Sequence, residues 1–352
     1  MNSNSYGEFF KITTFGESHG AAVGVIIDGC PAGLEISAED IQKELDRRKP
    51  GQSKVSTLRK EDDTVEILSG VFEGKTTGTP VALMVRNTSQ RSQDYNDIKD
   101  LFRPGHADYT YFKKFGIRDY RGGGRASARE TIGRVAAGAV AKKILSLKGI
   151  DIFGYIIQIE NVRAEKFDRD FIEQNPVRTA DVDAYPLMEE AILKAKMEQD
   201  SVGGVIELCI KNVPAGLGEP VFDRLNARLA YAIMSIPAVK GVEFGAGFKA
   251  AAMRGSQNND EITPDGFLSN NAGGTLGGIS SGQDIVLRFA VKPTSSILTP
   301  KKTIDIYGNP HEIVTKGRHD PCVAPRGVVV AEAMAALTIV DMMMINAGRQ
   351  II

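Results

Sequence analysis

Three consecutive glycines at 122–124 lead through Arg125 and Ala126 into Ser127-Ala-Arg-Glu130, a serine followed three residues later by a glutamate. That spacing is a capping box. Behind it Ile132, Val135, Ala136, Ala139, Val140 and Ile144 recur at helical spacing until Gly149 closes the pattern. The sequence therefore commits this region to a glycine loop feeding the N-terminus of a buried helix. Glycine lets a backbone approach a ligand closely, and a helix start offers unpaired N–H groups and the positive end of a dipole. Arginines at 118, 121, 125 and 129 surround the turn, and His106 lies just upstream. Guanidinium forks bind phosphate and carboxylate bidentately. Residues 103–130 thus read as a site for a multiply anionic small molecule. The competing reading is a glycine loop whose arginines are solvated or paired with Asp108 and Asp119.

The rest of the chain mixes helices and strands. Ser37-Ala-Glu-Asp40 resembles a second capping box, ahead of Ile41 and Leu45, with Pro50 as the stop. A helix is predicted over about 186–199. Asp223 is placed to cap another that carries Leu225, Leu229 and Ile233 and ends by Pro237. Residues 329–347 are apolar and rich in Ala and Met, which predicts a buried helix. Gly24–Asp28, Val205–Ile210 and Ile285–Val291 are short and β-branched, as strands are. No regular βαβ beat connects these elements. The fold class expected is therefore α+β with antiparallel sheets, not a doubly wound parallel sheet.

Net charge is −1, so no global basic field is available to hold nucleic acid, and the clustered arginines favour a local anion site. The three cysteines, Cys30, Cys209 and Cys322, are odd in number and form no CxxC, which fits a reducing cytoplasm. The N-terminus does not read as a signal peptide, and no apolar run approaches the length of a membrane span. P-loop and HExxH motifs are absent, and no serine has an obvious catalytic triad. Gly245-Ala-Gly-Phe-Lys-Ala250 imitates a dinucleotide fingerprint, but no clear helix follows it.

Three of the four histidines sit in glycine-flanked turns: GESHG at 16–20, RPGHAD at 103–108 and KGRHDP at 316–321. An imidazole exposed in such a turn can exchange a proton at cellular pH, though a surface histidine has the same signature. Asp108 is close enough in sequence to orient His106. Asp320 can serve as a general base, or as a turn residue before proline. Residues 46–54 crowd cations into a helix end, where the dipole favours them. Asn271–Gly278 and Lys292–Ser296 offer N–H and O–H donors to a cofactor, with hairpin turns as the alternative.

These segments closely resemble the chorismate synthase family. The resemblance is carried by GESHG at 16–20, DRRKPGQS at 46–53, RNTSQRSQDY at 86–95, RPGHADYTY at 103–111, RDYRGGGRASARE at 118–130, AGGTLGGISSGQ at 272–283, KPTSS at 292–296 and GRHDPCVAPR at 317–326. It implies a single domain over 1–352, a βαβ sandwich with central long helices between antiparallel sheets, assembled as a homotetramer. It also implies conversion of 5-enolpyruvylshikimate 3-phosphate to chorismate and phosphate, a 1,4-anti elimination requiring reduced FMN.

By the same resemblance His19 protonates the leaving phosphate, His106 lies near the reduced flavin, and Asp320 serves with flavin N5 in removing the C6 proton. Arg48, Lys54, Ser127 and Arg129 contact the substrate. FMN contacts are Arg125, Ala126, Ser127, Pro237, Ala238, Gly277, Lys292, Pro293, Thr294, Ser295, Ser296 and Arg318. Lys54 stands where the family commonly has arginine, and Pro237 where it commonly has an amide side chain. Some fungal relatives reduce their own flavin with NADPH. This chain carries no convincing nicotinamide motif, so an external reductant is expected. A redox flavoenzyme using the same pocket and an RNA-binding Arg/Gly module are the competing classes. The second conflicts with the near-zero net charge and the lack of a stacking-aromatic pattern beside the arginines.

Overall fold

The structure is a computed structural model that describes residues 3–51, 53–56, 61–88, 95, 97–315 and 319–349. Two five-stranded antiparallel sheets hold a helical layer between them. The first sheet contains β1 (Ser5–Tyr6), β2 (Lys11–Gly16), β3 (Ala22–Asp28), β4 (Val65–Ser69) and β5 (Val81–Arg86), in the order β1-β2-β3-β5-β4. The second contains β6 (Asp151–Ile159), β7 (Val162–Arg163), β8 (Gly204–Lys211), β9 (Val239–Phe244) and β10 (Ile285–Val291), in the order β9-β10-β8-β6-β7. The α+β expectation and its antiparallel pairing hold. In β10 the alternation places Ile285, Leu287, Phe289 and Val291 in the core while Ala290 faces out, as a sheet with one buried face requires.

The helices are α1 (Ala38–Arg48), α2 (Asp108–Phe115), α3 (Thr131–Ser146), α4 (Ala184–Met197), α5 (Leu225–Met234) and α6 (Ala324–Arg349). α3 packs on the first sheet, α6 packs on the second, and the two helices pack on each other. Gly138 lets them pack tightly, since a Cβ there would come within 2.3 Å of the Ala333 Cβ. α6 is long and apolar enough to cross a membrane by composition, but 89% of its most apolar window is buried inside the protein. It is a core helix, and it begins at Ala324, earlier than its apolar pattern suggests. Pro325 fits there because a first-turn N–H needs no intrahelical partner.

The capping box at α1 forms as read. Ser37 Oγ accepts from the Asp40 N–H at 3.2 Å, and the Asp40 carboxylate accepts from the Ser37 N–H at 3.1 Å. The box expected at Ser127 forms by half. Ser127 Oγ accepts from the Arg129 N–H at 3.2 Å, but the Glu130 carboxylate accepts from Arg134 at 2.9 Å and from the Thr14 hydroxyl at 3.1 Å. A guanidinium one turn ahead and a hydroxyl from β2 outcompete the backbone amide. A single 3₁₀ turn, Ala128–Glu130, therefore precedes α3.

Asp223 does not cap α5. The helix starts after Arg224 with no side-chain cap, and the Asp223 carboxylate pairs instead with Arg228 at 2.9 Å. The imitation dinucleotide motif follows β9 as a 3₁₀ turn, Gly247–Ala252, with no α-helix at that point.

Candidate active site

A cavity of about 660 Å³ gathers residues from distant parts of the chain. His19, His106 and His319 line it, as do Asp320 and Gly123 of the triple-glycine turn. Seven cationic side chains face three carboxylates along its walls. Ile12, Phe289, Val291, Val330 and Met334 supply an apolar surface. Loops far apart in sequence thus meet in one cationic cup with an apolar side.

Arg48 is the last residue of α1 and is almost wholly buried. Its Nη2 donates to Asp63 Oδ2 at 2.7 Å. Burial, with the nearby Arg326 charge, lowers its pKa to about 10 despite the Asp63 carboxylate. Arg129, also buried, donates to Asp63 Oδ1 at 2.9 Å and further to Glu61 and Asn87. Burial alone would raise the Asp63 pKa. The charges of Arg48 and Arg129 outweigh it and hold the group below the ordinary carboxylate range.

His19 is buried, with Ser18 Oγ 3.1 Å from Nδ1 and Tyr95 edge-on at 5.3 Å between ring centroids. The triple-glycine turn presses on it. Gly122 has φ +75°, and a Cβ there would lie 2.2 Å from His19 Nδ1. His106 Nδ1 lies 2.9 Å from Asp108 Oδ1, so the contact suggested by the two-residue spacing exists. Arg103 grips the same carboxylate with Nε at 2.7 Å and Nη2 at 2.8 Å, and Nη2 also donates to the Gly122 carbonyl at 2.9 Å. Burial would raise the Asp108 pKa, but the hydrogen bonds from Arg103 and His106 hold it far below the usual carboxylate range. Asp320 is buried and accepts from Arg326, whose Nε donates to the Arg48 carbonyl at 3.1 Å.

The four arginines around the glycines do not all converge on the cavity. Arg118 supports Asp108 at 3.2 Å and Arg121 pairs with Asp119 at 2.7 Å, as the structural alternative held. Arg125 and Arg129 do line it. Arg125 also anchors β2, with Nη2 on Thr14 Oγ1 at 2.7 Å and Nη1 on the Gly16 carbonyl at 3.1 Å.

Among the expected cofactor contacts, Ala126, Ser127, Pro237 and Ala238 line the cavity, and so do Lys292, Pro293, Thr294, Ser295 and Ser296. Ala238 takes φ +74°, a left-handed conformation costly for a residue with a Cβ. Gly277 lies elsewhere, in the tight turn of the hairpin pairing Thr275–Leu276 with Ile279–Ser280. Lys54 is exposed and outside the cavity, its carbonyl accepting from Lys196 Nζ at 2.8 Å. Arg318 lies outside the described residues.

Glu61, Tyr95, Arg103, Arg134 and Arg326 also line the cavity. Sequence reading assigned them no role. Tyr95, Arg103 and Arg326 fall inside quoted motifs, and that was the available signal. Glu61 had none.

Residues 10–344 match the family model for chorismate synthase. The chain belongs to the chorismate synthase family. It is 59% identical to chorismate synthase of Francisella tularensis subsp. novicida (strain U112) over 98% of this chain and 99% of that one. Identity to the protein of subsp. mediasiatica (strain FSC147) is 58% over the same shares. A crystal structure of chorismate synthase aligns with TM-score 0.77 at 35% identity, covering 97% of this chain and 94% of that one. As a member of the chorismate synthase family, the chain is an enzyme of the lyase class, and its antiparallel α+β architecture is that of the solved relative.

Proposed function

We propose that the protein converts 5-enolpyruvylshikimate 3-phosphate to chorismate and inorganic phosphate by 1,4-anti elimination, with reduced FMN bound in the same cavity. The observation that carries this reading is the meeting of His19, His106 and Asp320 in one cationic cup. The substrate carries a phosphate and two carboxylates, and the wall is rich in arginine and lysine, with Arg125 and Lys292 given no carboxylate partner among the described residues. The ester oxygen leaves with the C–O electron pair while the C6 proton departs on the opposite side of the elimination. Substrate and product differ by no net redox change.

The residues fit a flavin mononucleotide. Phe289, Val291 and Met334 give a ring an apolar wall, and the hydroxyls of 294–296 beside Lys292 give a phosphate ester its donors. Lys292 Nζ donates to the Gly105 carbonyl at 2.9 Å and so ties that loop to the His106 loop. A volume of about 660 Å³ lies within the range that holds small ligands. When bound, reduced FMN supplies electron density that no side chain provides.

The chain's own residues do the rest. Arg48 and Arg129, fixed by Asp63, bind and orient the substrate anions. His19 delivers a proton to the departing phosphate, an effect worth about 10² to 10⁴ in rate. Asp320, held by Arg326, takes the proton leaving C6. His106 holds a proton at the flavin side of the cavity. The reading extends to a cytoplasmic homotetramer fed by an external flavin reductant.

Purified protein with reduced FMN and substrate under anaerobic conditions is expected to release phosphate and form chorismate. No phosphate release rejects the proposal. Rapid NADPH oxidation by the pure protein would overturn the external reductant.

A further inference from the structure

We propose that Asp108, from behind the cavity wall, is the positioning residue that fixes His106 as the Nδ1–H tautomer, so that Nε2 alone exchanges protons with a ligand. Two groups lie near His106 Nδ1: Asp108 Oδ1 at 2.9 Å and Arg103 Nη2 at 3.3 Å. A guanidinium nitrogen only donates, and Nη2 has two hydrogens. Closer acceptors take both, Asp108 Oδ1 at 2.8 Å and the Gly122 carbonyl at 2.9 Å. The imidazole is left with the longest of the three Nη2 contacts. A carboxylate only accepts, so the ring nitrogen facing it carries the hydrogen.

The carboxylate is itself immobilised. Oδ2 accepts from Arg103 Nε at 2.7 Å and from the Arg103 backbone N–H at 3.1 Å, while Arg118 Nη1 lies 3.2 Å from Oδ1. Asp108 also opens α2, where a negative charge meets the positive end of the helix dipole. His106 lines the cavity and Asp108 does not. The edge of the ring available to a ligand is therefore the Nε2 edge. The same Arg103 nitrogen reaches the Gly122 carbonyl, and Gly122 abuts His19. One guanidinium thus spaces the two imidazoles.

The catalytic consequence rests on the function proposed above, but the tautomer does not. With four histidines in the chain, the imidazole nitrogens can be resolved by ¹⁵N NMR, and His106 assigned by the loss of its signals in His106→Asn. In the wild-type protein, neutral His106 is expected to show a protonated Nδ1 and an unprotonated Nε2. The opposite pattern overturns the proposal without any variant of Asp108. In Asp108→Asn, Arg103 and Arg118 compete for the one remaining carbonyl oxygen. The expected result is a mixed or reversed His106 tautomer, with kcat down about 10²-fold. The KM for substrate is expected to change less than about threefold, because Asp108 does not line the cavity. A variant that keeps both the wild-type tautomer and wild-type kcat also overturns it. If wild-type protein shows the expected tautomer yet releases no phosphate, the proposed function fails and the assignment of Asp108 as the tautomer-fixing residue stands.

Discussion

Asp63 holds two cavity arginines at once, Arg48 Nη2 on Oδ2 at 2.7 Å and Arg129 Nη1 on Oδ1 at 2.9 Å. Its side chain has no exposed surface, and its backbone is left-handed, at φ +49°. Asparagine tolerates that conformation, so Asp63→Asn tests the charge alone. Arg129 keeps Glu61, but Arg48 becomes a buried cation without its carboxylate. Breaking such a pair costs about 3–5 kcal/mol, read from urea unfolding. The substrate KM is expected to rise at least about tenfold, equivalent to 1.4 kcal/mol of binding. A variant with wild-type KM would remove Asp63 from substrate binding.

Gly122 and Gly74 share φ +75° but not their surroundings. A Cβ at 122 meets His19 Nδ1 at 2.2 Å, whereas one at 74 meets nothing within 4 Å. Alanine at either place bears the left-handed penalty of about 1–2 kcal/mol. Only Gly122→Ala must also push His19 aside. Both variants are expected to melt at lowered temperatures, Gly122→Ala the more so, with phosphate release lost in Gly122→Ala and kept in Gly74→Ala. Equal turnover in the two would show that the turn does not position His19.

Lys292 reaches across from the 292–296 loop to the Gly105 carbonyl beside His106. Burial and the neighbouring Lys240 charge lower its pKa, so its ammonium is already partly stripped of water and ready to meet an anion. Lys292→Met keeps most of the stem and removes the charge. Its affinity for FMN, followed by quenching of flavin fluorescence, is expected to fall about tenfold, or 1.4 kcal/mol. Unchanged flavin affinity would place the FMN phosphate elsewhere.

What could be read in the sequence divides along a physical line. Helix α1 and strands β8 and β10 carry periodic burial, α3 and α6 are buried almost all round, and both kinds of pattern are written in the chain. His19, His106 and Ser127 sit near glycines in left-handed backbone, and such glycines leave a local trace in the sequence. Ion pairing leaves none. Nothing local says that Arg121 turns to Asp119 while Arg129 turns inward, or that Glu130 abandons its capping box for Thr14 and Arg134. Asp63 and Glu61 lie in a patternless acidic stretch, and the arginines that give them meaning come from α1 and the turn before α3. Such choices are made by the packed structure, through distance and desolvation, after the elements have formed.

Glu332, one turn into the buried half of α6, ties that helix to the arginine end of α1. Its carboxylate, 1% exposed, accepts from Arg47 at 2.7 Å, Lys142 at 2.6 Å and the Gly154 N–H at 3.0 Å. Burial would raise its pKa, but the charges of Lys142 and Arg47 override it and push the group down to about 2. A folded-state pKa below the unfolded value means the stabilisation is fully present above pH ~4.5 and is lost as pH falls toward about 2. The amount is roughly 3 kcal/mol for a shift of this size. Glu332→Gln keeps the shape and removes the titration. At neutral pH the variant is expected to be less stable by about 3–5 kcal/mol, with Arg47 and Lys142 left facing an uncharged group. Between pH ~4.5 and ~2 the wild-type curve then falls toward that of the variant, because the proton does to Glu332 what the substitution has already done. Urea unfolding at stepped pH measures both curves. If they run parallel through the acid range, the buried Glu332 cluster is not what makes the fold acid-sensitive.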